Sequence, residues 1–158
     1  MKHVIVSGGS RGLGLAIVKT LLEEGYKVST CSRTKTAEVD QLIAQYPFFQ
    51  WFYAEIGNAE QTSHFVKQAC DWAQDTPLWG IINNAGIAKE GILATFPNID
   101  SVTLLQVNLH GALYLAREAL RVFLRQNSAG RIINISSIIG NRGYTGLAAY
   151  SASKAGLD

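Results

Sequence analysis

The 158-residue chain has little cysteine, little proline and little charge. Its two cysteines, Cys31 and Cys70, share no CxxC spacing and have no histidine pair nearby, which argues against a disulfide framework. His3, His64 and His110 stand far apart without ligand spacing, so no metal site is expected and all three read as structural or surface residues. Charged residues make up 16% and the net charge is +2, with no basic run interleaved with aromatics, so no nucleic-acid footprint is evident. No apolar run approaches the ~20 residues of a membrane span, and MKHVIVSGG begins directly with a strand, so a soluble, cytoplasmic protein is expected. A GxSxG nucleophile elbow is also missing, which argues against a Ser-His-Asp hydrolase.

Hydrophobic residues are plentiful at 47%, enough for one sizeable core, and residues 1–158 read as a single dinucleotide-binding domain. Lys2 to Ser7 is a β-branched run, Gly8 to Gly14 a glycine-rich turn, and LGLAIVKTLLEEG an amphipathic helix closed by Gly25. Strands are expected at Lys27 to Cys31, Phe49 to Ala54, Leu78 to Ile82 and Arg131 to Ser136. Helices are expected over Thr36 to Tyr46, Ala59 to Asp75 and, as one long apolar helix, about Asp100 to Arg125. Such a helix, with Val102, Leu105, Leu109, Leu113, Leu120 and Phe123, is buried on several sides or docks on a partner. Regular alternation predicts a Rossmann-type, doubly wound parallel α/β sheet in three layers. The chain stops at Asp158 inside a last helix opened by Leu147, before the parallel strand that a crossover normally delivers, so the sequence reads as truncated. The fifth strand, with Ile132, Ile133 and Ile135, would then be an apolar edge.

SGGSRGLG, Ser7 to Gly14, follows a strand and opens a helix, the context that gives a glycine loop its meaning. Gly8 permits the tight turn, Gly12 lets the backbone approach a pyrophosphate and Gly14 allows close helix packing, while the helix N-terminus faces the anion. Ser10, Arg11 and Leu13 complete that loop as candidate cofactor contacts. An NAD binder usually carries an acid at the end of the second strand, where this chain has Ser32-Arg33. Arg11 and Arg33 would instead pair with a 2′-phosphate, which favours NADP(H) over NAD(H); as a plain surface feature, both are simply solvated.

Ser137, Tyr150 and Lys154 form the second candidate group. Tyr150 and Lys154 are i and i+4 of a helix and share one face, about 6 Å apart along its axis. A neighbouring ammonium favours the ionised form of a phenol, which makes the pair suited to proton transfer. Ser137 would hold a substrate oxygen. In isolation the pair is more often a half-buried tyrosine and a surface lysine. Tyr144 has Ala148 at i+4 and is expected to lack a cation, and Ser136 should point away from Ser137 along the strand.

Five segments together carry a family resemblance: SGGSRGLG at 7–14, NNAG at 83–86, VNLHG at 107–111, IINISS at 132–137 and YSASKAG at 150–156. The chain resembles the short-chain dehydrogenase/reductase family over all 158 residues, most like its 3-oxoacyl-acyl-carrier-protein reductases. The resemblance implies Tyr150 as proton donor to a carbonyl, Lys154 as the cation beside it and holder of the nicotinamide ribose, and Ser137 as the group polarising the carbonyl. It implies Asn108 as the active-site asparagine of a water-linked proton relay, although a helix asparagine is otherwise a surface residue. Asn83, Ala85 and Gly86 would lie along the adenosine, with Asn83 equally a tie between strands. Glu55-Ile56 stands where an aspartate and an aliphatic residue usually contact adenine, and Ser7 replaces a threonine. The implied activity is NADPH-dependent reduction of a ketone, free or carried on an acyl carrier, by a homodimer or homotetramer. Sugar, steroid and polyketide ketones remain alternatives, as does a truncated nucleotide-binding fragment without catalysis. Arg121, Arg125, Arg131 and Arg142 would receive an acidic carrier.

Overall fold

The computed structural model describes residues 1–158. Five parallel strands form one sheet in the order β3-β2-β1-β4-β5, with β1 at His3–Ser7, β2 at Lys27–Ser32, β3 at Phe49–Tyr53, β4 at Leu78–Asn83 and β5 at Arg131–Asn134. The helices are α1 (Gly12–Glu23), α2 (Ala37–Gln45), α3 (Ala59–Ala73), α4 (Asn98–Leu105), α5 (Gly111–Gln126) and α6 (Ala148–Ala155). Every residue of β1 is buried, as the central strand of a parallel sheet covered on both faces requires.

Strand alternation divides the core in two. Val4 and Val6 point to one side, where Val18, Leu22, Val39 and Leu42 of α1 and α2 meet them, while Ile5 points to Phe65, Leu115 and Phe123 of α3 and α5. Three layers follow, and the expected Rossmann-type fold is the observed one. Reading outward, the chain builds β1, β2 and β3 to one side, then returns to place β4 beside β1. The loops after β1 and β4 therefore diverge, and a crevice opens at their carboxyl ends.

Two expectations need correction. The helix expected from Asp100 starts at Asn98 and is interrupted by a π-helical turn at Gln106–His110, where the Gly111 N–H bonds to the Gln106 carbonyl. Nor is it apolar in burial all round. Leu104, Leu115 and Phe123 are buried, but Val102 of α4 is exposed, and so are Leu113, Leu120 and Leu124, on a face of α5 that also carries Arg117 and Arg121. The fifth strand ends at Asn134 instead of Ser136, because the Ile135 carbonyl and the Ser136 hydroxyl turn to α6. Its Ile133 is half-exposed at the sheet edge.

At the opposite end of the sheet His3 is fully buried, with Nε2 2.8 Å from the Ser29 hydroxyl and Nδ1 without a partner. Burial first, and the Lys27 ammonium second, together lower its pKa from 6.5 to about 3. Lys27 itself donates to the Ala73 carbonyl at 2.9 Å and lies 4.7 Å over the Trp72 ring. The unfolded chain therefore binds a proton that the folded one refuses between pH 6.5 and about 3. His3 costs no stability above that window, and stability falls as pH drops through it. Denaturant unfolding over this range should show a shallower pH slope for His3→Gln than for the parent; equal slopes would contradict the assignment.

Candidate active site

The crevice is held by a polar latch between the ends of β1 and β4. Ser7 Oγ donates to the Ile82 carbonyl at 3.3 Å and accepts the N–H groups of Asn84 and Ala85 at 3.1 and 3.0 Å. The serine keeps the hydroxyl that this junction needs. Asn84 Nδ2 donates in return to the carbonyls of Ser7 and Gly8 at 3.0 and 3.2 Å. Asn84 lies in the NNAG segment, but its bonds to Ser7 and Gly8 were not anticipated; their signal was its place directly after β4, at the switch in strand order.

Gly8 turns the chain at φ 71°, in the left-handed region that a side chain disfavours. A Cβ on Gly14 would lie 2.2 Å from the Gly8 carbonyl and 2.4 Å from Asn84 Nδ2, so the close approach expected there is made against the loop and Asn84. Gly12, at φ 55°, has nothing within 4 Å of where a Cβ would stand and leaves the first turn of α1 open. No acid occupies that turn, and its free N–H groups favour an anion.

Beside this loop lies a cavity of about 770 Å³. Gly8, Ser10, Arg11, Gly12, Leu13, Gly14, Ser32, Arg33, Glu55, Ile56, Ala85 and Gly86 all line it. Arg11 and Arg33 are exposed at its margin. The structure adds Asn84 and Val107, which the NNAG and VNLHG segments contain without a role having been assigned to them, and Thr34, Thr36, Ile87 and Thr103, which lie in none of the motifs. Thr36 donates to the Ser10 carbonyl at 3.0 Å and so ties the loop to the start of α2. Cys31 also lines the cavity, but burial pushes its thiol up to about 12, which removes it as a nucleophile. Asn83 does not line the cavity. It is buried, and Nδ2 donates to the Ala112 carbonyl at 3.3 Å and to Asn134 Oδ1 at 2.9 Å, the tie between strands that was its other reading.

Tyr150 and Lys154 stand on α6 as expected, with Lys154 Nζ 6.0 Å from the centre of the Tyr150 ring. Lys154 is buried and Nζ donates to the Ile135 carbonyl at 2.8 Å. Burial lowers its pKa from the ordinary lysine value, and the Asp158 carboxylate opposes that shift. Asn108 sits within the π turn, nearly fully buried. Its Oδ1 accepts the Ile87 N–H at 2.8 Å, and Nδ2 donates to the Ile87 carbonyl at 2.9 Å and to Ser153 Oγ at 3.0 Å. Ser153 Oγ donates in turn to the Tyr150 carbonyl at 2.7 Å. A side chain on Gly86 would meet both Asn108 Oδ1, at 3.3 Å, and Lys154 Nζ, at 3.6 Å. Three separate segments thus meet at Gly86, which lines the cavity, whereas Asn108, Ser137, Tyr150 and Lys154 stand behind or beside it and do not line it themselves.

Ser137 precedes a 3₁₀ turn and its Oγ accepts the Ile139 N–H at 3.4 Å. Ser136 faces α6 and donates to the Lys154 carbonyl. The expectation that Tyr144 has no cation fails, because the Arg142 guanidinium lies 5.2 Å over its ring from two residues upstream, outside the helical spacing considered.

Comparison with known proteins agrees with this geometry. A profile of the family described as short chain dehydrogenase matches residues 2–158. The chain belongs to the short-chain dehydrogenase family. Among family members, the 3-oxoacyl-[acyl-carrier-protein] reductase of Rattus norvegicus is 32% identical over 99% of this chain and 64% of its own length. An acetoacetyl-CoA reductase of Synechocystis is 34% identical over 99% of this chain and 61% of its own. A short-chain dehydrogenase structure from Streptomyces avermitilis superposes with a TM-score of 0.89 at 28% identity, covering 99% of this chain and 58% of that one. The chain thus spans less than two thirds of the length of these relatives.

The close approach at Gly14 gives a direct test of the loop. Gly14→Ala should destabilise the fold by about 1–3 kcal/mol through overpacking against backbone, read by denaturant unfolding. A neutral effect would mean that the loop relaxes freely.

Proposed function

We propose that this chain forms the cofactor-binding and proton-donating part of an NADPH-dependent reductase that converts a ketone, a 3-oxoacyl thioester, to a secondary alcohol. The observation that carries the reading is the convergence of Asn108 and Lys154 on Gly86, beside the Gly8–Gly14 loop and one turn from Tyr150. Relatives named for reduction of 3-oxoacyl carrier proteins and acetoacetyl-CoA support the substrate class.

The open first turn of α1 suits the pyrophosphate, and Arg11 and Arg33 suit a 2′-phosphate. NADPH, when bound, supplies the hydride. Ser137 donates a hydrogen bond to the carbonyl oxygen, and Tyr150 delivers the proton that this oxygen needs as it becomes a hydroxyl. Lys154 supplies positive charge beside the phenol and orients the ribose, while Asn108 holds the turn after β4 against α6. Arg121, Arg125, Arg131 and Arg142 are all exposed and would meet an acidic carrier. The exposed Val102, Leu113, Leu120 and Leu124 suit contact with a second copy, as in a homodimer or homotetramer.

A second reading, nucleotide binding without turnover, is favoured by the exposed edge of β5 and the loop after it, where Ile133 and Tyr144 are about half exposed. NADPH binding followed by NADPH oxidation with a panel of ketones separates the two: binding with turnover supports the reductase, and binding alone the module. Where turnover occurs, Tyr150→Phe should lower it ~100-fold or more while leaving NADPH affinity unchanged. Comparable rates would remove Tyr150 from its role. Arg33→Asp should weaken NADPH relative to NADH by ~10-fold or more in binding titrations, and an unchanged ratio would end the case for a 2′-phosphate.

A further inference from the structure

We propose that Asn134 is a positioning residue that fixes α6, the helix of Tyr150 and Lys154, through a relay of two side-chain amides running back to the helix behind Asn108. The proposal rests on the reading of α6 as the proton-donating helix. The relay starts at the Ala112 carbonyl, two residues past the π turn that holds Asn108. Asn83 Nδ2 donates to that carbonyl at 3.3 Å and to Asn134 Oδ1 at 2.9 Å, and Asn134 Nδ2 donates onward to the Leu157 carbonyl at 3.2 Å, just beyond the end of α6.

Each amide in this relay has one workable orientation. Asn83 is 5% exposed and its nitrogen faces two acceptors, while its Oδ1 has no partner at all. Flipping it would set oxygen against oxygen twice. Asn134 must accept from Asn83, so only its nitrogen remains for Leu157. Donor and acceptor are therefore fixed in every bond, Asn83 donating both back to α5 and forward to Asn134, and Asn134 donating onward past α6.

The relay also supplies what the other α6 contacts lack. Asn108 holds the middle of α6 through Ser153, and Ser136 and the Ile135 carbonyl both act on Lys154. Past Lys154, Gly156 packs closely on Leu109 and Gly140 on Ala155, but packing alone fixes no direction; the Asn134 bond to Leu157, three residues after Lys154, adds a directional tie. Three consecutive residues, Asn134, Ile135 and Ser136, thus bond to one end of one helix, which accounts for the early end of β5.

The test uses Asn134→Asp, which retains the acceptor for Asn83 but removes the donor to Leu157, and Asn134→Ser, a milder change whose hydroxyl is too short to reach. Hydrogen exchange of the purified chain should accelerate about five- to tenfold at the amides of α6, with β1 and α1 unchanged. In turnover assays the same variants should lower kcat about tenfold at constant KM and constant NADPH affinity. Acceleration spread evenly over sheet and helices would mean a general structural role and overturn the proposal, as would unaltered α6 exchange. A parent without turnover would defeat the reductase reading alone, because the exchange measurement still decides the role of Asn134.

Discussion

The latch between Ser7 and Asn84 is the constraint on which the rest of the site depends. The parallel sheet opens where β1 and β4 send their loops to opposite sides, and an open crevice leaves strand-end backbone groups without ladder partners. Ser7 Oγ satisfies three of these groups and Asn84 two more, so the crevice is braced without being filled. The glycine loop inherits its shape from this brace. Gly8 and Gly14 lack side chains because the latch occupies the space.

A second constraint is the cost of burying Lys154. Placing an ammonium among apolar neighbours is unfavourable, and the fold offsets this with the Ile135 carbonyl and the Asp158 carboxylate. The arrangement holds a cation close to Tyr150 and beside the cavity wall. The π turn serves the same end on the opposite side. By widening the helix it directs Asn108 inward, where one amide braces the loop after β4 and α6 at once.

The architecture was largely legible because burial writes itself as periodicity. Apolar residues at successive positions of β1 and at helical spacing in α1 predict a buried parallel strand and its covering helix. The glycine loop was legible from its place between a strand and a helix, although the contact that excludes a side chain at Gly14, with Asn84, was not. Tyr150 and Lys154 were legible as neighbours on one helical face. Contacts between residues distant in sequence were not. Ser7 and Asn84 meet across 77 positions, and nothing in their local segments reveals the bond. The same holds for Asn83, which a motif placed along the cofactor and the fold turned inward to Asn134. The π turn escaped because it arises from the fit of Asn108 between two other segments, while QVNLH reads locally as ordinary helix.

By itself, then, the sequence determined the order of strands and helices, the loop after β1 and the placing of Tyr150 and Lys154 on one helical face, since each follows from local pattern. Tertiary structure alone decided which side chains face the crevice and which tie its walls. A hydrogen bond between distant residues depends on where the sheet places them, and that placement follows from the packing of the whole core.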